Sequence, residues 1–327
     1  MTAFVFVGAL LLIAAASELF TNAVEWAGYQ LHLGAGATGS LLAALGTALP
    51  ETVVVIVALA GGGADSEQIA IGAVLGSSFL LLTLGGAVTG LAVLARAGGR
   101  QLTVAPAQAR RDLGTFLSAF GCAVASTVLS RPERVVVGIL LLLLYAGYAR
   151  ATLDGGEPDQ EAPEPLHVVR WRSSPPPGAA VAAQLLTGTV LLAIGAELFV
   201  GAIHTAAISL GLNALVLAVI VIPFATELPE CVNSVLWIRS GDDGLALGNV
   251  IGAAVFQACI LGFVGLAFTT WDLGAAGLIS AGCAFATGLY LLAVARRGRA
   301  HGGWLLGAAV PWIGYVVAEL VMRGRLG

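Results

Sequence analysis

Two short stretches, GTALPE at Gly46–Glu51 and ATELPE at Ala225–Glu230, set carboxylates beside prolines inside segments that are otherwise apolar. Proline withholds a backbone N–H and crowds the preceding turn, so nearby carbonyls lose their helical partners. Freed carbonyls and the hydroxyls of Thr47 and Thr226 are hard oxygen ligands, of the kind that suit Na+ or Ca2+. Glu51 and Glu230 each follow the proline directly. A carboxylate at the centre of a bilayer costs at least about 2.5 kcal/mol. No arginine lies inside either segment to offset it, so a bound cation or a proton must balance the charge. Two carboxylates facing one site favour a divalent ion; when the site is empty they repel, and protons and metal ions compete for the same oxygens.

Glu227 lies three residues before Glu230 and shares its face on a helix. It is either a further site carboxylate or a hydrogen-bonded bystander. Glu18 and Glu197 are expected to hydrogen-bond across helices, or else to line the access path, and Glu25 and Glu319 to sit hydrated near span ends.

The elements that must position these groups are membrane helices. Of 327 residues, 58% are hydrophobic and 10% charged, with a mean hydropathy of +0.94. A soluble domain carries roughly a quarter charged residues. The apolar runs do not alternate as barrel strands do. The expected fold is therefore an all-α polytopic membrane protein. Apolar runs between polar breaks give about ten spans, at 3–26, 36–60, 68–95, 112–130, 134–150, 179–205, 211–238, 244–268, 273–295 and 303–322. Ala3–Ala16 lacks a basic flank and runs on into Glu18, so it reads as a retained helix rather than a cleaved signal. The Pro- and Glu-rich stretch 151–178 cannot bury a core and reads as a mobile linker. All 15 basic residues are arginine, as in a GC-rich bacterial genome. Eleven of them flank the loops after odd-numbered spans and four the other side, which predicts a cytoplasmic linker and both termini outside a bacterial inner membrane. Cys122, Cys231, Cys259 and Cys283 match no metal or redox spacing and read as packing residues.

The halves repeat. SELF (Ser17–Phe20) matches AELF (Ala196–Phe199), and TALPE (Thr47–Glu51) matches TELPE (Thr226–Glu230), both 179 residues apart. IAIGAVLGSSF (Ile69–Phe79) matches LALGNVIGAAV (Leu245–Val255) at 176. Glu227 has no mate, since Ala48 stands in its place. Five spans per half is an odd number, so residues 1–150 and 179–327 are expected to form two inverted repeats, with a site near the midplane where they meet. Gly72, Gly76, Gly248 and Gly252 form GxxxG pairs that allow close helix approach; Ser77, Ser78 and Gln257 follow and could face the site.

These motifs resemble those of the cation/Ca2+ exchanger superfamily, sodium/calcium exchanger type. That family pairs a GTSLPE-like motif with a GNxxGSNxxN/D-like motif in each of two inverted repeats. Here they stand as GTALPE and ATELPE, GAVLGSSFLL and GNVIGAAVFQ, over nearly the whole chain. The resemblance implies an antiporter, not an enzyme, that exchanges Ca2+ or another cation for Na+ or H+ by alternating access. It implies no cofactor beyond the transported cations, no nucleic acid and no obligate protein partner. It makes Glu51 and Glu230 the central ion ligands, with oxygen from Thr47, Thr226 and Ser77. Where the family has neutral oxygen ligands this chain has Ala48, Glu227, Leu81, Gln257 and Ala253, which favours proton coupling or a different cation over a full set of sodium sites. The alternatives are a degenerate paralogue with altered or lost ion specificity, a purely structural or receptor role, and, remotely, an intramembrane serine hydrolase using Ser77 or Ser78 with His204.

Overall fold

The computed structural model describes residues 2–30, 43–96, 99–153, 163–167, 175–210, 213–241 and 243–324. Among the described residues the regular structure is helical apart from one two-stranded ribbon. The first half holds α1 (Thr2–Gln30), α2 (Ala43–Gly61), α3 (Ala64–Leu80), α4 (Gly86–Ala95), β1 (Gln101–Thr103), α5 (Pro106–Ala125) and α6 (Arg131–Leu153). The second holds α7 (Gly178–Leu210), α8 (Ala214–Thr226), α9 (Leu228–Ser240), α10 (Asp243–Phe256), α11 (Gly262–Phe268), α12 (Gly274–Ala295), β2 (Arg299–His301), α13 (Gly302–Leu306) and α14 (Val310–Gly324). Among the described residues six helical segments are long and apolar enough to cross a membrane, and of these 65–95 and 246–268 are the most enclosed by their neighbours.

Those two segments form the centre. Each is interrupted once by a π-helical turn, Leu81–Gly85 between α3 and α4 and Gln257–Leu261 between α10 and α11. The turns lie 176 residues apart, the spacing of the repeat that contains them. A π turn adds a residue to the helical ring and often marks a functional site. Around the centre, α1 packs along α7 and α3 crosses α8. The second crossing is close because Gly72 and Gly76 lack side chains. A Cβ on Gly72 would stand 2.7 Å from the Leu215 carbonyl oxygen, and one on Gly76 would stand 2.6 Å from that of Val219.

Polar contacts between helix ends fall into two sets. In one, Arg96 pairs with Asp243, β1 pairs antiparallel with β2, and Arg111 donates to the Ala151 carbonyl at 3.3 Å. Gln30 belongs to the same set, donating to the Pro176 carbonyl at 2.6 Å. In the other, the Thr270 N–H donates to Glu67, Arg134 donates to the Thr270 carbonyl, and His204 meets Asp65 at 3.1 Å. The first set joins ends that follow odd-numbered spans of the sequence reading, and the second joins ends that follow even-numbered ones. Asp243 also accepts from the Thr103 N–H at 2.7 Å. Its replacement by alanine strands two donors at a buried α10 N-terminus. The expected cost is about 1–3 kcal/mol, read as a lower Tm of the purified protein in detergent.

Several expectations change. Glu18 and Glu197 sit on outward faces rather than bonding across helices; Glu18 instead lies 3.7 Å from His167. Glu319 is buried next to Tyr315, not hydrated. The proline of the first motif, Pro50, does not end α2, and α8 likewise continues through Pro223. Much of the linker lies outside the described residues, but its Pro163–His167 portion is docked. Leu166 packs with Trp26 and Val181, and the Glu164 carbonyl accepts from Asn22 and Trp26.

A buried carboxylate site at a bent helix

The seventh expected span is two helices, α8 and α9, meeting at Glu227. Pro229 causes the bend, since it cannot donate to the carbonyl of Ala225. Glu227 takes up φ −97°, ψ 0°, in the sparsely populated bridge region. Its backbone still bonds on both sides, its N–H to the Pro223 carbonyl at 2.9 Å and its carbonyl from the Cys231 N–H at 3.1 Å. The chain therefore bends at Glu227 while keeping its ladder there.

Three carboxylates are enclosed around this bend. Glu51 and Glu230 are 0% exposed and Glu227 1%. Glu51 stands against Glu227 and the amide of Gln257, with Glu230 acting on it through space. The Gln257 amide is near but is hydrogen-bonded to Glu227, and among the described residues neither Glu51 oxygen accepts a hydrogen bond. Two carboxylates face to face are both acceptors, so they bond only through a shared proton or a bridging cation. Among the described residues none of the groups acting on Glu51 is a cation. Glu227 Oε1 accepts from Gln257 Nε2 at 3.0 Å and from Thr226 Oγ1 at 3.3 Å, while its Oε2 has no donor. Among the described residues no three His, Cys, Asp or Glu side chains close into a chelate by themselves, so an ion held here also needs neutral oxygens.

Those oxygens are distributed unevenly. Thr226 and Gln257 join the carboxylates directly, and the Gln257 Oε1, buried, has no partner. Ser77 instead donates to the Ala73 carbonyl of its own helix at 2.7 Å. Its neighbour Ser78 carries the buried hydroxyl without a partner. The side chain of Thr47 lies outside the described residues. Sequence reasoning singled out neither Ser234 nor Asn249, although Asn249 is the asparagine of the quoted GNVIG motif; they donate to the Glu230 carbonyl at 2.9 and 3.1 Å. Ser234 also reaches the Ala246 carbonyl at 3.1 Å, tying α9 to α10. The repeat gave no signal for either, because their first-half counterparts are Val55 and Ala73.

A serine hydrolase finds no geometry here. His204 is bound to Asp65, twelve residues before Ser77 on the same helix. That is a rise of about 18 Å along the axis, beyond any hydrogen bond.

The model of the family described as sodium/calcium exchanger protein matches residues 1–153 and 180–321. A putative antiporter, CaxA, from Alkalimonas amylolytica is 30% identical over 310 residues, 91% of each chain. Inner membrane protein YrbG from Escherichia coli (strain K12) is 26% identical over 231 residues, 68% of this chain and 66% of its own. The crystal structure of the H+/Ca2+ exchanger CAX superposes with a TM-score of 0.79 at 17% identity, over 98% of this chain and 82% of that one.

Proposed function

This chain belongs to the sodium/calcium exchanger protein family, and from that premise we propose that it is a secondary active antiporter exchanging Ca2+, or another cation, for Na+ or H+. It is an all-α membrane protein. The observation that carries the reading is the enclosure of Glu51, Glu227 and Glu230 among membrane helices with, among the described residues, no cationic side chain acting on Glu51. Such a site is costly unless a mobile cation or protons neutralise it. Glu51 and Glu230 are the central ligands in this reading, with oxygen from Thr47, Thr226 and Ser77.

The topology that serves this function is ten spans in two inverted five-helix repeats, 1–150 and 179–327. The linker is cytoplasmic and both termini lie outside the inner membrane. The two sets of helix-end contacts agree with that alternation. So does the match of the family model to two blocks that leave residues 154–179 between them, and so does the arginine bias. A site between the repeats is exposed to each side in turn as the α1–α7 pair moves against the centre.

The test is uptake of radiolabelled Ca2+ by liposomes holding the purified protein, under an outward Na+ or an outward H+ gradient. Uptake driven by one gradient and not by its collapse is expected, and the effective gradient names the coupling ion. Absence of uptake with both would overturn Ca2+ exchange and favour a paralogue with altered or lost specificity.

A further inference from the structure

The repeat pairs Glu51 with Glu230, yet the structure sets another carboxylate against Glu51. Glu227 acts on it both through space and at hydrogen-bond range, and Gln257 reaches the same group. We propose that Glu227, held in place by Gln257, is the residue that makes this site select a divalent cation over monovalent ones. The proposal rests on the antiporter reading above and goes deeper into the same site.

Three observations converge on it. Glu227 and Gln257 both lack polar counterparts in the first half, where Ala48 and Leu81 stand. They are nevertheless hydrogen-bonded to each other at 3.0 Å, across 30 residues of sequence. Two polar departures from the repeat that contact each other act as a unit. Second, the bond sorts the oxygens. Gln257 spends its N–H on Glu227 Oε1, which leaves its own carbonyl oxygen and Glu227 Oε2 buried without donors. Those two oxygens and the Glu51 carboxylate are hard ligands. Third, the charge decides the ion. Glu227 raises the enclosed carboxylates from two to three, so one monovalent cation leaves two negative charges in a dry site, whereas one divalent cation leaves a single charge that one proton can neutralise. Gln257 opens the π turn Gln257–Leu261, and Glu227 sits at the bend of α8 and α9, so two local departures from the α-helix aim the pair.

Gln257 is a positioning residue in this account, and its test reads selectivity rather than stability. Ca2+ uptake into liposomes is measured against Ca2+ concentration, with and without external Na+, for Glu227→Ala, Glu227→Gln, Gln257→Leu and the Glu227→Ala/Gln257→Leu pair. Glu51→Gln and Glu230→Gln serve as references. The KM for Ca2+ is expected to rise by roughly tenfold or more in both Glu227 variants, the scale of one lost charge contact. External Na+ should inhibit these variants more strongly than the parent. Gln257→Leu should shift both readouts in the same direction, and the double variant should be no worse than Glu227→Ala, as coupled residues behave. If Glu227→Ala does not fold, Glu227→Gln, of the same shape, decides. Unchanged KM and Na+ sensitivity in the Glu227 variants, with uptake lost in Glu51→Gln, would overturn this inference and leave the antiporter intact. Full additivity in the double variant would remove the role of Gln257. Uptake that survives both Glu51→Gln and Glu230→Gln would bring down the antiporter reading itself.

Discussion

Glu51→Gln abolishes cation uptake while raising the Tm of the protein in chelator. Glutamine keeps the shape of the side chain and removes its charge. In the parent, Glu51 is fully enclosed and opposed by Glu227 and Glu230. Without a cation these groups repel, and a charge at that depth is costly to keep. Neutralising one of them relieves the folded protein. The same change removes half of the facing carboxylate pair that would hold a divalent ion. A loss of at least about 100-fold in uptake at limiting Ca2+ is expected, equivalent to roughly 3 kcal/mol of lost binding. Ligand-linked stability gives a second readout, since an ion at 100 times its Kd stabilises the folded state by about 2.7 kcal/mol. Ca2+ should therefore raise the Tm of the parent and leave that of Glu51→Gln unmoved. A variant that loses flux because it misfolds would show a lower Tm in chelator, the opposite sign. Thermal unfolding in detergent with chelator and with Ca2+, run beside the liposome assay, separates the two.

The opposite-sign test has force because the site is defined by what it lacks, and part of that was visible in the sequence. The PE motifs, the nearly constant offset and the bend at Pro229 all follow from residue identity and backbone chemistry. The partner of Glu51 did not, because a repeat assigns mates by position along the chain. Glu227 meets Glu51 at the junction of α8 and α9, where its backbone lies at φ −97°, ψ 0°, and a positional repeat carries no information about such a junction. The π turns were equally hidden. LLTLG at Leu81–Gly85 reads as ordinary apolar helix, and only the packing reveals the extra residue in its ring. Ser234 and Asn249 support Glu230 from one repeat alone, so symmetry could not flag them. Glu18 and Glu197 failed in the other direction. They are genuine repeat mates, but mates on the outward face of a helix pair.

Gly76→Ala lowers the yield and Tm of the protein sharply, and Gly248→Ala does so far less. Both glycines belong to the GxxxG pairs that the two halves share, so sequence alone predicts similar effects. Their surroundings differ. A methyl group on Gly76 would lie 2.6 Å from the Val219 carbonyl oxygen, 2.8 Å from its Cα and 2.9 Å from the Pro223 ring. Two of those atoms are backbone, so α8 itself must retreat. On Gly248 the nearest described atom is the end of the Gln108 side chain at 3.3 Å, which can swing aside. Overpacking of a tight contact costs typically about 1–3 kcal/mol, and the Gly76 contact, backbone against backbone, belongs at the upper end. The displacement has a functional consequence, because α8 ends in Thr226 and delivers Glu227 to the site. Folded Gly76→Ala protein is therefore expected to show a raised KM for Ca2+ as well, whereas Gly248→Ala keeps the KM of the parent. Equal Tm losses in the two variants would mean that the close α3–α8 crossing does not hold the bend in place.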